Sequence, residues 1–260
     1  MKLPEIVSPV YEIELPASKK QIKYRSFVVK EEKIILLAMQ DKKNIAQNMI
    51  ESIKQVLQNV TFGEVDIDAL PKVDVEYLLL QLRAKSKGEI ITLKFSCTKN
   101  EEDENGNVVV IDGMPKACGK SKAVKFDLND VQVIREKEVS DLVMFSDKIG
   151  IKLKYPAYNV TKKLLAFIDK KQKKSQFDLS EELIYECTEY VMDGENISTK
   201  KDFTKEEFFE FFESLPTDAK HKIEEYFESL PKLRGVVEYT CACGKYSDKI
   251  TVEGLESFLA

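Results

Sequence analysis

The chain of 260 residues and 29.8 kDa is long enough for one or two domains with a sizeable buried core. Its 43% apolar and 33% charged residues exclude a disordered or fibrous chain, and a net charge of −5 with a pI near 5.3 argues against a nucleic-acid binder. No run of eighteen apolar residues is present and no apolar stretch follows Met1-Lys2-Leu3-Pro4-Glu5, so neither a membrane span nor a secretory signal is expected, and a soluble intracellular protein is.

The first elements form a hairpin followed by helices. Tyr11, Ile13 and Leu15 alternate with acids, Ile22, Tyr24 and Phe27 follow, and Pro16 to Lys20 supply the turn. Helices are predicted over about 30–40, 43–58 and from Asp74 to Gly88, each with apolar residues at helical spacing. From residue 89 the period changes to two. Ile91, Leu93 and Phe95 alternate, an acidic loop runs from Asn100 to Asn107, and Val108 to Ile111 is a strand before the turn Asp112-Gly113-Met114-Pro115. Val124, Phe126 and Leu128 share a face, and Leu142–Phe145 and Ile149–Leu153 complete what reads as a central antiparallel sheet or ribbon.

Beyond Asn159 the pattern is helical again, with the basic run Lys170-Lys171-Gln172-Lys173-Lys174 and a helix predicted from Ser180 to Met192. Thr204, with Glu206 and Glu207 behind it, is a stronger helix start. Phe212-Glu213-Ser214-Leu215-Pro216 recurs as Phe227-Glu228-Ser229-Leu230-Pro231, and each proline is expected to stop a helix. Strands return at Val236–Tyr239 and Lys249–Val252, and an apolar tail runs from Leu255 to Leu259. The expected fold is α+β in three parts. Residues 1–88 form a hairpin plus helices, 89–157 a strand-rich part, and 158–260 helices closing with a Cys-x-Cys-Gly hairpin that packs back on the middle.

Little catalytic chemistry is available. Tryptophan is absent, and the single histidine, His221, lies between two lysines on a charged helix, so it reads as solvated. No phosphate-binding glycine loop occurs. Acid pairs such as Glu206-Glu207 and Glu224-Glu225 fit solvated helix faces better than glycoside chemistry. The basic run at 170–174 reads as a solvated loop. No residue supports an enzyme.

Five cysteines without a signal sequence do not read as a disulfide framework. Cys187, inside a helical pattern, reads as a small buried residue. The other four are more informative. Ala117-Cys118-Gly119-Lys120 and Ala242-Cys243-Gly244-Lys245 each precede a strand, and each has a second cysteine, Cys97 or Cys241, on the outgoing arm. Zinc knuckles place two thiolates at such turns, where glycine lets backbone amides approach sulfur. Brought together, Cys97, Cys118, Cys241 and Cys243 would offer four thiolates to one structural zinc ion. The alternative is that they are a relic of such a site, or buried strand residues.

Residues 201–230 hold nine acids and four lysines, so the net charge of the chain is concentrated there. One helix face holds only part of the set Phe203, Phe208, Phe209, Phe211 and Phe212. An acidic helix with surplus aromatic area suggests a protein interface. Phe208, Phe209, Phe211 and Phe212 with Glu206, Glu207 and Glu210 are therefore the expected contact residues, unless every phenylalanine is core.

The order of short motifs is itself distinctive. An N-terminal hairpin leads into Phe27-Val28-Val29-Lys30-Glu31-Glu32-Lys33-Ile34-Ile35-Leu36-Leu37-Ala38. A mid-chain Cys…Cys-Gly strand unit, Leu153-Lys154-Tyr155-Pro156 before a helix, a helix with Cys187, and a late Cys-x-Cys-Gly hairpin with a closing Phe258 follow. This order resembles the baseplate hub subunit and hub-assembly protein family of T-even-type contractile-tailed phages. The resemblance implies a non-enzymatic structural protein or assembly chaperone, with other baseplate hub or tail proteins as partners. It implies a place in the virion tail or in the host cytoplasm during assembly. Family members more often carry Cys-x-x-Cys-Gly at both hairpins. The competing reading is a zinc-ribbon adaptor for nucleic acid or a transcription complex. The near-neutral sheet and acidic helices favour the first.

Overall fold

A computed structural model describes residues 7–40, 45–103, 105–169, 176–254 and 258. The chain forms two compact units, each assembled from two stretches: Met1–Leu79 with Arg135–Pro231, and Leu80–Ile134 with Lys232–Ala260. The architecture is mixed α and antiparallel β, as the alternation of periods predicts.

In the first unit, β1 (Val10–Glu14) and β2 (Gln21–Arg25) pair in the antiparallel register Val10↔Arg25. Their alternation places Ile22 and Tyr24 inside. The connecting turn is held by Asp74, whose buried carboxylate accepts the Ala17 and Ser18 amides at 2.7 and 2.9 Å. Asp74 lies in α3 (Lys72–Lys87), which follows α1 (Val29–Gln40) and α2 (Ile45–Val60). The helix start at α1 is fixed by Glu31. Its buried carboxylate takes the Arg25 guanidinium at 3.0 Å and the Val28 amide at 3.0 Å. Burial opposes ionisation there, but these donors hold the carboxyl below its usual range.

The same unit contains a four-stranded sheet in the order β11-β10-β9-β8, formed by β8 (Leu142–Met144), β9 (Ile149–Leu153), β10 (Thr188–Asp193) and β11 (Asn196–Thr199). Helices α4 (Tyr158–Asp169) and α5 (Gln176–Cys187) lie between β9 and β10 in sequence. The helix predicted over Ser180–Met192 thus ends at Cys187, and its last third is a strand. Tyr190, Val191 and Met192 favour extended backbone and find partners in Lys152, Ile151 and Gly150. Asp193 and Asn196 then pair across a tight turn in which Gly194 adopts φ +61°.

Helices α6 (Lys205–Glu213) and α7 (Thr217–Glu228) complete a core of Val143, Ile151, Leu153, Ile184, Phe208, Phe212, Ile223 and Tyr226. Thr204 and Glu207 form a complete capping box at the start of α6, with contacts of 3.2 and 2.7 Å. The repeated Phe-Glu-Ser-Leu-Pro segments end both helices alike. Ser214 and Ser229 are the two C-caps, and each hydroxyl donates to the carbonyl three residues back.

The second unit is built on β-pairs. β3 (Ile90–Ser96) pairs with the later β6 (Ser121–Asp127), and between them in sequence lies the short pair β4 (Val110–Ile111) and β5 (Met114–Pro115). β7 (Gln132–Ile134), β12 (Lys232–Thr240) and β13 (Ser247–Glu253) form a sheet in the order β13-β12-β7. The strands of 89–155 therefore do not make one central sheet. They divide among several, because β7 and β9 pair with strands far along the chain. Gly235 in β12 is required by packing: a Cβ there would lie 2.6 Å from the Phe126 ring and 3.2 Å from Phe258. Those two rings stack at 5.9 Å. Of the expected apolar tail, only Phe258 is among the described residues, and it is fully buried.

Candidate functional site

Both cysteine pairs sit where an antiparallel strand pair runs out. The β3–β6 ladder ends at Ser96↔Ser121, and the Cys97 amide then donates to the Lys120 carbonyl at 3.0 Å. The Gly119 amide returns to the Cys97 carbonyl at 3.2 Å, with Gly119 at φ +60°. The β12–β13 ladder ends at Thr240↔Ser247. There the Cys241 amide donates to Tyr246 at 2.8 Å, and the Gly244 amide to the Cys241 carbonyl at 2.9 Å. Gly244 stands at φ +77°, so glycine permits each turn to fold back on its thiol.

The two turns meet. The Cys118 and Cys241 sulfurs are 3.8 Å apart, and those of Cys97, Cys118 and Cys241 all lie within 4.8 Å of one another. Three thiols at this spacing can hold a metal ion; among the described residues they are the one such group. Cys243 is half-buried and packs against the same cluster. Its amide donates to the Cys241 sulfur at 3.4 Å. That contact, with the Cys243 thiol and the Tyr239 hydroxyl, pulls the Cys241 thiol down to about 6 against its desolvation. Cys243 is pushed up by the Cys241 thiol beside it. These contacts favour ionisation of the Cys241 thiol.

Tyr239 escapes a search for ligand residue types, yet it belongs to the site. It lies two residues before Cys241 on β12, so both side chains share a strand face. That spacing was the available signal. Its buried hydroxyl lies beside the Cys241 sulfur, which together with burial pushes the phenol up to about 12. Phe95, Val124, Tyr246 and Ile250 close around the sulfurs.

The aromatic helix differs from expectation. Phe208 and Phe212 are 2% and 5% exposed and belong to the core, so neither offers a contact surface. A single helix face is not their only cover. The ring of Tyr185 in α5 provides more, meeting Phe208 at 5.3 Å and Phe209 at 6.1 Å, and Phe203 stacks on Phe208 at 5.8 Å. Phe209 and Phe211 are half-buried. Glu206, Glu207 and Glu210 face solvent, but Glu207 is engaged by the Thr204 amide, which lowers its carboxyl pKa.

Cys187 is fully buried, and burial pushes its thiol up to about 12, so it is a packing residue. His221 is exposed beside Glu224 at 3.3 Å. The basic run at 170–174 lies outside the described residues. Among the described residues, no helix is long and apolar enough to cross a membrane.

No curated protein and no solved structure matches the chain significantly. One family model does, under the description T4 bacteriophage base plate protein, and it covers residues 8–260. The match takes in both cysteine turns and the acidic hairpin alike, and the chain belongs to this family of phage baseplate proteins.

Proposed function

We propose that the protein is a non-enzymatic structural or assembly component of the baseplate hub, working through contacts with other hub or tail proteins. Hairpin α6–α7 carries this reading. Phe208, Phe212 and Tyr226 face inward while Glu206, Glu210, Glu213, Asp218 and Glu228 face solvent, leaving a charged outer surface on a packed support. Phe209 and Phe211, half-buried beside these acids, supply the apolar part of the contact. Such a surface steers an encounter by charge, with the rings adding affinity once water is excluded. Mass spectrometry of purified baseplates, with and without the gene for this chain, tests the assignment. The protein must be found in hub fractions, or hubs must fail to form without it. Normal hubs from the deleted phage, with no trace of the chain in wild-type hub fractions, would reject it.

The cysteine cluster is read as one structural zinc site of Cys97, Cys118, Cys241 and Cys243. In a tetrahedral site with Zn–S bonds of ~2.3 Å the sulfur–sulfur edge is ~3.8 Å. The Cys118–Cys241 separation is 3.8 Å. Bound zinc would supply a cross-link between two strand pairs and no reactive centre. The buried Tyr239 hydroxyl beside the Cys241 sulfur fits such a site, since a metal-bound thiolate would still accept from it. Elemental analysis of protein purified without chelator decides the point.

A further inference from the structure

The described residues between Cys97 and Cys118 fold into a finger. Its two arms are laced by backbone hydrogen bonds: Cys118 to Lys99 at 2.8 Å, Glu101 to Lys116 at 2.7 Å and Val109 to Glu101 at 2.8 Å. Lys116 and Glu101 add an ion pair at 2.6 Å. The finger is also tied to the turn after β12. The Tyr246 hydroxyl donates to the Glu102 carboxylate at 2.7 Å, and the Lys245 ammonium to the Asp103 carbonyl at 2.9 Å. At the tip, β4 and β5 are joined by Asp112 and Gly113, at φ +51° and +79°. Positive φ at both positions gives the turn that matches the natural twist of a two-residue hairpin.

This tip is apolar on both sides. Val110 lies opposite Pro115 and Ile111 opposite Met114, so the two pairs point to opposite faces. Val110, Ile111 and Met114 are 57, 52 and 70% exposed. From Val108 to Pro115 the one charge is Asp112, in a chain that is one-third charged. A flat partner would cover one face and leave the other in water. Only a cleft covers both.

We propose that the tip, Val110–Pro115, is a docking finger that inserts into an apolar cleft of another baseplate protein. Its lacing reduces the ordering cost of insertion. Because Cys97 and Cys118 sit at the two ends of its base, an ion held by the cluster would clamp the finger where it leaves the sheet. The inference rests on the baseplate reading above.

The test places a photo-crosslinking residue at position 110 or, separately, 111 in the full chain and assembles it into baseplates during infection. Both positions should link to one and the same baseplate protein. Ile111→Asp with Met114→Asp should lower incorporation by at least about tenfold without changing metal content or melting temperature. If that variant unfolds, Ile111→Ser with Met114→Ser takes its place under the same criterion. Links from one position only, links chiefly between copies of this chain, or unchanged incorporation overturn the proposal. So does tip-dependent binding to phosphatidylcholine–phosphatidylglycerol vesicles in place of protein links. Absence of the wild-type chain from baseplates, together with normal hubs when its gene is deleted, would instead defeat the underlying reading.

Discussion

The two units stabilise themselves by different means. Around α6 and α7, large aromatic side chains meet a four-stranded sheet, and Phe208, Phe212 and Tyr226 are buried among aliphatic neighbours. At the cysteine end of the other unit, the buried set is Cys97, Tyr239 and Cys241. Thiols and one phenol remove far less apolar area from water than three aromatic rings do. The first region buries large rings at its centre, whereas the cysteine end of the second places sulfurs there. Aromatic packing needs no ion; a sulfur cluster that took one up would tie local order to it.

The largest expected effect breaks the aromatic region. Phe208→Ala should cost about 3–5 kcal/mol, read by chemical denaturation, with early hydrogen exchange in β8–β11. A loss under ~1 kcal/mol would mean the ring is not core. Next comes metal removal. Stripping an ion held at free concentrations of 100 to 1,000 times its Kd should cost about 3–4 kcal/mol, with exchange rising at β3, β6, β12 and β13. Cys241→Ser should abolish this sensitivity to chelator. Equal loss of protection in β8–β11 would contradict the contrast between the regions.

A third test separates the two ends of the second unit. Gly235→Ala should cost about 1–3 kcal/mol by forcing apart Phe126 and Phe258, with metal stoichiometry unchanged. Loss of the metal in that variant would show that the sulfur cluster depends on the aromatic stack. The smallest effect sharpens the first region. Thr204→Ala removes the capping box of α6 and should cost about 1 kcal/mol, seen as a lower midpoint at unchanged slope. No change in midpoint would mean the Glu207 carboxylate caps the helix unaided.

Local chemistry was readable from the sequence, and distant pairing was not. The β1–β2 alternation, helices α1 to α3, the Thr204 cap and the Asp112-Gly113 turn all rest on residues within a few positions of one another. The proximity of Cys97, Cys118 and Cys241 could be approached because two similar Cys-Gly turns betray a shared role. By contrast, nothing local says that Leu233 will pair with Val133, or Val191 with Ile151. The Ser180–Met192 segment misleads because its apolar spacing suits a helix while Tyr190 to Met192 are claimed by β9. Phe208 and Phe212 look like surplus until Tyr185 and the sheet are in place to cover them. The signal for Tyr239 was its two-residue offset from Cys241, which only matters once Cys241 faces other sulfurs.

The order in which the cysteines leave the ribosome follows from this topology. Cys97 and Cys118 emerge on the first strand pair of their unit, while Cys241 lies 123 positions after Cys118. At ~5–20 residues per second, the early thiols wait roughly 6–25 s for their counterparts. During that interval the half-site is an open pair of sulfurs, and the whole α4–α7 region is synthesised meanwhile. Closure of the cluster is thus a late event in the life of each new chain, and a product truncated before Cys241 carries a half-site that never closes.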